Sequence, residues 1–139
     1  MKLSPSIYKR ILHFQRDEIT GSILYEKIGK RQKNGNNKST LFELTKVERS
    51  HYETWRSYTE RDVKPNWSKI YLFYVISRIL GDTFAFKFFE LGEEYGIKEL
   101  NSIVKEIPEA REINAEKSVL MKRLHQRMQN EWNVSSVMK

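Results

Sequence analysis

The chain has 139 residues, of which 39% are hydrophobic and 31% are charged, so it can bury a substantial core and disorder throughout is excluded. It contains no cysteine, which excludes disulfides, thiolate metal sites and a cysteine nucleophile and fits a reducing compartment. Its net charge of +7 favours polyanionic partners, either an anionic membrane surface or nucleic acid.

The first amphipathic helix is predicted to begin at Ser4. Serine is a favoured capping residue, and Pro5 is favoured in the first helical turn. Apolar residues then recur at spacings of three and four as far as Ile28, which defines one helix face. Glu18 interrupts the middle of this face. No secretory signal precedes the helix, so we expect a cytoplasmic protein.

A polar loop and a second amphipathic helix follow. Residues 30–38 are polar and are predicted to form the loop. Thr40 and Glu43 have the spacing of a capping box, so we expect the second helix to begin there. Its apolar face is interrupted by Glu48 and His51, which are three residues apart and share one side of the helix.

The third predicted helix is the most apolar part of the chain. It follows a break around residues 62–67, runs from Ser68 to about Tyr95, and has Glu90 and Glu93 on one of its faces. Its other faces are rich in aromatic residues. A helix that is apolar nearly all round needs more than one neighbour, so we expect a homodimer contact through it. No uncharged apolar run approaches the roughly 20 residues that a membrane helix needs.

The fourth predicted helix follows a short helical connection. It begins at Pro108 and extends to about Trp132, and the polar residue on its apolar face is Lys117. Residues 133–139 are expected to form a C-terminal tail, which leaves residues 1–132 as a single four-helix domain. The sequence therefore predicts an all-α fold, specifically an antiparallel four-helix bundle.

The polar interruptions fall at similar depths in such a bundle. An ionised carboxylate is costly to bury unless it is paired or bound to a cation. Two helices that each give a Glu, with two that each give Glu-x-x-His, form a carboxylate-bridged di-metal site. Carboxylates with an imidazole suit iron, with manganese or another divalent metal as the alternative. Taken singly, each group also fits the edge of an apolar stripe or a solvated acidic patch, but their coincidence favours the metal site.

The same segments resemble the rubrerythrin branch of the ferritin-like superfamily. They are most similar to the rubrerythrin-type domain that precedes the membrane part of vacuolar-iron-transporter-like proteins, including membrane-bound ferritins. The matching segments are ILHFQRDEITGSILYEKIGKR, ELTKVERSHYETWRSYTERDVKPN, RILGDTFAFKFFELGEE and KEIPEAREI. The resemblance implies a ferritin-like bundle that binds iron, and it implies the metal ligands Glu18, Glu48, His51, Glu90 and Glu93.

The resemblance also implies a supporting residue and exposes a departure from the family. Tyr25 matches a tyrosine that would hydrogen-bond the metal ligands. On the fourth helix, the positions of the family's Glu and His carry Lys117 and Leu120, and neither binds a hard cation. We therefore expect a degenerate di-metal site that is partly occupied or empty. The Lys117 ammonium either enters the carboxylate cluster, replacing part of a metal's charge, or extends to solvent.

Two functions remain open at this point. The first is an iron-handling domain, with a ferroxidase-like di-iron oxidoreductase activity or a role in iron transport. The second is a non-catalytic module that dimerises or docks, has lost full metal binding, and lies against an anionic membrane surface or a membrane domain. Nucleic acid is a weaker expectation, because the basic residues are dispersed and no DNA-binding pattern is present.

Overall fold

The computed structural model describes residues 3–33 and 35–137, without the side chains of residues 83, 90, 128, 129 and 131–137. Every regular element in this part of the chain is an α-helix and no strand occurs there, so the predicted all-α class is confirmed. The described residues form five helices: α1 (Pro5–Lys30), α2 (Gly35–Thr59), α3 (Trp67–Leu80), α4 (Asp82–Asn101) and α5 (Glu109–Val137). None of them combines the length and apolar character that a membrane crossing demands.

The helices belong to two compact units, Met1–Asp82 and Thr83–Lys139. In the first unit, α1 packs along α2 and also contacts α3. The second unit contains α5 and all of α4 after its first residue. The helix count differs from the four that the sequence predicts, and the four-helix bundle stays a prediction.

Helix α1 begins as the sequence predicts. The Ser4 hydroxyl accepts a hydrogen bond of 3.3 Å from the Ile7 backbone N–H, and Pro5 is the first helical residue. The helix ends at Lys30, two residues beyond the last predicted apolar position, Ile28. Lysine in the last turn interacts favourably with the helix dipole.

Helix α2 begins earlier than the sequence predicts. It starts at Gly35, so the loop predicted over residues 30–38 is wrong in its second half. The Thr40 hydroxyl donates a hydrogen bond of 2.9 Å to the Asn36 carbonyl, one turn back, so Thr40 is inside the helix and the predicted capping box is wrong. Leu41 is buried close to α1, and this packing stabilises a turn whose polar residues alone favour a loop.

The connection from α2 to α3 is held by polar side chains of α1. Gln15 donates a hydrogen bond of 2.8 Å to the Arg61 carbonyl and accepts one of 2.7 Å from the Thr59 hydroxyl. The Asn66 backbone N–H donates a hydrogen bond of 2.9 Å to the Thr20 hydroxyl. These bonds fix the break that the sequence predicts around residues 62–67 and set where α3 begins.

An exposed ion pair links the last turn of α2 to the connection that follows it. Arg56 Nε lies 2.8 Å from Asp62 Oδ1, and both side chains are largely exposed. The Asp62 carboxylate, followed by that of Glu53, raises the pKa of Arg56. Arginine is charged at every physiological pH in any case, and exposed pairs of this kind stabilise little.

The third predicted helix is interrupted, so the continuous helix from Ser68 to Tyr95 is wrong. The chain instead forms α3 and α4, with Gly81 between them at φ = 92°. Only glycine adopts this left-handed backbone readily, and it ends α3. Ile79 and Thr83, on either side of Gly81, are four residues apart and continue the helical spacing of the stripe. Periodicity therefore predicts one helix.

The second unit is an antiparallel helical pair. Helix α4 extends to Asn101, six residues past Tyr95, and a turn over residues 102–106 follows. Helix α5 begins directly after Pro108, as the sequence predicts. It continues to Val137, so the backbone of the expected C-terminal tail is helical as far as that residue.

Candidate metal centre

Three of the predicted metal ligands come together inside the first unit. Glu18 of α1 and Glu48 and His51 of α2 each offer one ligand atom, and these atoms all lie within 4.8 Å of one another. The three residues are 1%, 3% and 3% exposed, respectively. Two carboxylate oxygens and one imidazole nitrogen at this spacing could hold a metal ion.

The antiparallel pairing of α1 and α2 produces this convergence. Phe14 of α1 contacts Trp55 of α2, with 5.8 Å between the ring centroids. Glu18 is one turn further along α1 and His51 one turn back along α2, so the two helices place them at the same level. Gly21 approaches Glu48 one layer further on, which shows that the register persists along the pair.

Gly21 gives the Glu48 carboxylate its space. A Cβ at this position would lie 3.0 Å from Glu48 Oε2 and 3.8 Å from Glu48 Cδ, and contacts of 3.0 Å are tighter than nearly all real ones. The missing side chain therefore lets the carboxylate reach the backbone of α1. No role for Gly21 was predicted from the sequence, where the available signal was a glycine on the apolar face, one turn after Glu18.

The charges in this group are costly to bury. His51 Nδ1 lies 3.7 Å from Glu18 Oε2, which is longer than a hydrogen bond. Glu18 and Glu48 place two carboxyl groups in the same buried space, where like charges disfavour joint ionisation. A divalent cation bound by both carboxylates and the imidazole would supply the compensating charge.

Aromatic side chains flank the group. Trp55, one turn after His51, is fully buried against Phe14, and together they form an apolar layer at one side of the site. Tyr25 is buried beyond Gly21, with its Cε2 atom 3.8 Å from the position that a Cβ at Gly21 would take. Tyr25 thus lies on the Glu48 side of the group, and its predicted hydrogen bond to the ligands stays a prediction.

The remaining predicted site residues belong to the second unit. Lys117 Nζ donates a hydrogen bond of 3.2 Å to Glu93 Oε2, and the two side chains are 8% and 16% exposed. Of the two predicted alternatives, the structure excludes the one in which the lysine extends to solvent. The side chain of Glu90 lies outside the described residues. Leu120 is buried.

Asn114 of the second unit has a structural role that was not predicted from the sequence. It is buried on α5, and its Nδ2 donates hydrogen bonds of 3.2 Å to the Ile97 carbonyl and 2.7 Å to Asn101 Oδ1 on α4. Its available signal was an asparagine one turn before Lys117 on the buried face. These bonds fix the register of α5 on α4 one turn away from the Lys117–Glu93 pair.

Comparison of the chain with protein-family models, with curated protein sequences and with solved structures gives no match. What the structure itself defines is an all-helical protein with a buried carboxylate–histidine group that could hold a metal ion. The resemblance to rubrerythrin-type domains stays a prediction.

Proposed function

We propose that the chain is a ferritin-like, iron-binding domain whose metal ligands are Glu18, Glu48 and His51. The observation that carries the proposal is the burial of these three ligand atoms within 4.8 Å of one another. Hard carboxylate oxygens with one imidazole favour iron or manganese over softer metals. The ferritin-like bundle is part of the proposal, and the antiparallel pairs α1–α2 and α4–α5 support it.

The protein's own groups would have distinct parts in this function. Glu18 and Glu48 would bind the metal through oxygen and His51 through nitrogen, with the imidazole neutral and both carboxyl groups ionised. Gly21 leaves room for the Glu48 carboxylate, and the layer of Phe14 and Trp55 keeps one side of the site apolar. Bound Fe(II) would supply one-electron redox chemistry with dioxygen or peroxide, which is the basis of a ferroxidase-like role.

Metal binding is tested on the full chain by equilibrium dialysis against Fe(II) without oxygen, followed by elemental analysis. We expect the wild-type protein to retain iron and the Glu48→Ala and His51→Ala variants to lose it. Glu53→Ala and His13→Ala are matched controls, because these side chains are largely exposed and should not affect binding. A wild-type protein that retains no iron or manganese, or controls that bind as poorly as the site variants, would contradict the proposal.

The oxidoreductase part of the proposal needs a separate measurement. Adding air to the Fe(II)-loaded protein should give an oxygen-dependent absorbance change that recurs with each further addition of Fe(II). A domain that binds iron without this recurrence stores or senses the metal and does not turn over.

A second proposal concerns self-association, and the exposed apolar face of α3 favours it. Within the described residues, α3 leaves six large apolar side chains 47–74% exposed: Trp67, Tyr71, Leu72, Val75, Ile79 and Leu80. A soluble monomer rarely exposes so many neighbouring apolar groups, because covering them is favourable at about 25 cal/mol per Å². A second copy of the chain is the proposed partner, since a symmetric dimer would bury the same face on both copies.

A further inference from the structure

The second unit contains a mostly buried ion pair at two positions that the resemblance aligns with metal ligands. Lys117 on α5 and Glu93 on α4 are joined by a hydrogen bond of 3.2 Å, and both side chains are mostly buried. A charge-assisted hydrogen bond of this kind is stronger than a neutral one and compensates the cost of burying the carboxylate. Glu93 therefore has its positive counter-charge from the chain itself.

The position of Lys117 is fixed by the packing of the helical pair. Asn114, one turn earlier on α5, is bonded to the Ile97 carbonyl and to Asn101 on α4. Moving the lysine away from Glu93 by sliding or turning α5 would break both of these part-buried hydrogen bonds, at a cost for each group left without a partner. The ammonium is thus held opposite the carboxylate.

Lys117 and Leu120, the two α5 positions that the resemblance aligns with metal ligands, cannot bind a metal ion. The lysine ammonium has three donors and no lone pair, and its charge repels a cation that approaches Glu93. Leu120, one turn further along, is buried and has no donor atom. In the first unit, by contrast, Glu18, Glu48 and His51 offer three ligand atoms.

We infer that the chain binds a single metal ion, and that Lys117 supplies to Glu93 the positive charge that a second metal ion would supply in a di-metal protein. This inference rests on the proposed function, because the first metal ion is the one that Glu18, Glu48 and His51 hold. It assigns Lys117 the role of an internal counter-cation for Glu93.

The count of metal ions separates the inference from the proposed function. The full chain is loaded with excess Fe(II) without oxygen, freed of loose metal, and analysed for iron per chain. One iron per chain is expected. Two irons per chain would overturn the inference and leave the proposed function intact. No iron would overturn the proposed function and therefore also the inference of a single metal ion.

A gain-of-binding variant tests whether α5 is what limits the count. In the Lys117→Glu, Leu120→His double variant, α5 carries a carboxylate and an imidazole three residues apart, and the expected stoichiometry rises from one iron per chain to two. The matched control is Lys122→Glu, Arg123→His, which changes two exposed residues of the same helix and should leave one. A folded double variant that still binds one would overturn the inference.

The ion pair itself is tested by stability in the absence of metal. Lys117→Met should lower the Tm by roughly 10 °C, because it leaves a buried carboxylate without its cation. Adding Glu93→Leu should restore most of that loss, which a purely steric role for the lysine would not allow. A Lys117→Met protein with the wild-type Tm, or a Lys117→Met, Glu93→Leu protein with no recovery of Tm, would contradict the role of the ion pair. This test does not depend on whether the Lys117→Glu, Leu120→His variant folds.

Discussion

Gly21 of α1 faces Glu48 of α2 so closely that a Cβ on the glycine would lie 3.0 Å from the carboxylate oxygen Oε2. The glycine therefore shapes the site by leaving space for the Glu48 carboxylate, although it has no ligand atom of its own. Where the two helices meet, the absence of one methyl group sets where the carboxylate can be placed relative to Glu18 and His51.

The first prediction concerns Gly21→Ala. The added methyl should displace the flexible end of Glu48 and weaken metal binding by about tenfold, as for other residues that orient ligands. Stability without metal should change little, because alanine favours a helix over glycine by about 1 kcal/mol and offsets the contact. Metal titration and thermal melting measure the two effects.

Gly92→Ala is the control for that prediction. Gly92 is inside α4 and a Cβ there meets nothing within 4 Å, so the variant should gain stability and bind metal normally. Equal metal affinity in the Gly21→Ala variant and in the wild type would show that Glu48 does not need this space.

The second prediction is that metal stabilises the folded chain. An ion that binds only the folded form at about 100 times its Kd adds roughly 2.7 kcal/mol, which for a domain of this size is a rise in Tm of about 10 °C. Chelator should reverse the rise. The measurement is a thermal melt with and without Mn(II), which avoids oxidation; His51→Ala should remove the rise and His13→Ala should retain it.

The third prediction compares two tryptophans. Trp55 is fully buried against Phe14, whereas Trp67 is 47% exposed. Trp55→Ala should destabilise the protein by about 3–5 kcal/mol, because it removes a large buried side chain and leaves a cavity one turn from His51. Trp67→Ala should cost about 1 kcal/mol or less. Urea unfolding followed by circular dichroism measures both, and similar losses for the two variants would contradict the burial seen here.

The fourth prediction concerns the apolar face of α3. Ile79 is 74% exposed, so Ile79→Lys should leave the monomer folded and shift the assembly from dimer to monomer. Val119→Lys on α5 is the control, since Val119 is also exposed but has no neighbouring patch of this kind among the described residues. Light scattering after size-exclusion chromatography gives the mass. A wild-type chain that is monomeric at all concentrations, or that instead sediments with anionic vesicles, would contradict the dimer.

Local patterns predicted the start of α1 and of α5 correctly because their signals are local. Ser4 and Pro5 act within one turn, and Pro108 acts on the residue that follows it. The errors arose where local signals compete with packing. Gly35, Asn36 and Asn37 favour a loop by themselves, yet α2 includes all three. At Gly81 the apolar spacing continued while the backbone did not.

The candidate metal ligands could be identified from the sequence, but the distances between them could not. A polar residue in an apolar stripe shows that a charge faces inward, and this identified Glu18, Glu48, His51 and Lys117. Periodicity within one helix does not contain the distance between two helices. The sequence predicted that Glu18, Glu48 and His51 converge, and it left the direction of Lys117 open between two alternatives. The structure supplied the 4.8 Å spacing of the first group and the pairing of Lys117 with Glu93.

The sequence by itself determined the helical class and the inward-facing polar residues, because a period of 3.6 residues and the chemistry of helix ends act over one or two turns. Only the tertiary structure decided the register of α1 on α2 and of α5 on α4. That register depends on close contacts such as Gly21 with Glu48 and Asn114 with Asn101, which join residues far apart in the chain. The register of α1 on α2 brings Glu18, Glu48 and His51 together as a candidate metal centre, and the register of α5 on α4 places Glu93 beside Lys117.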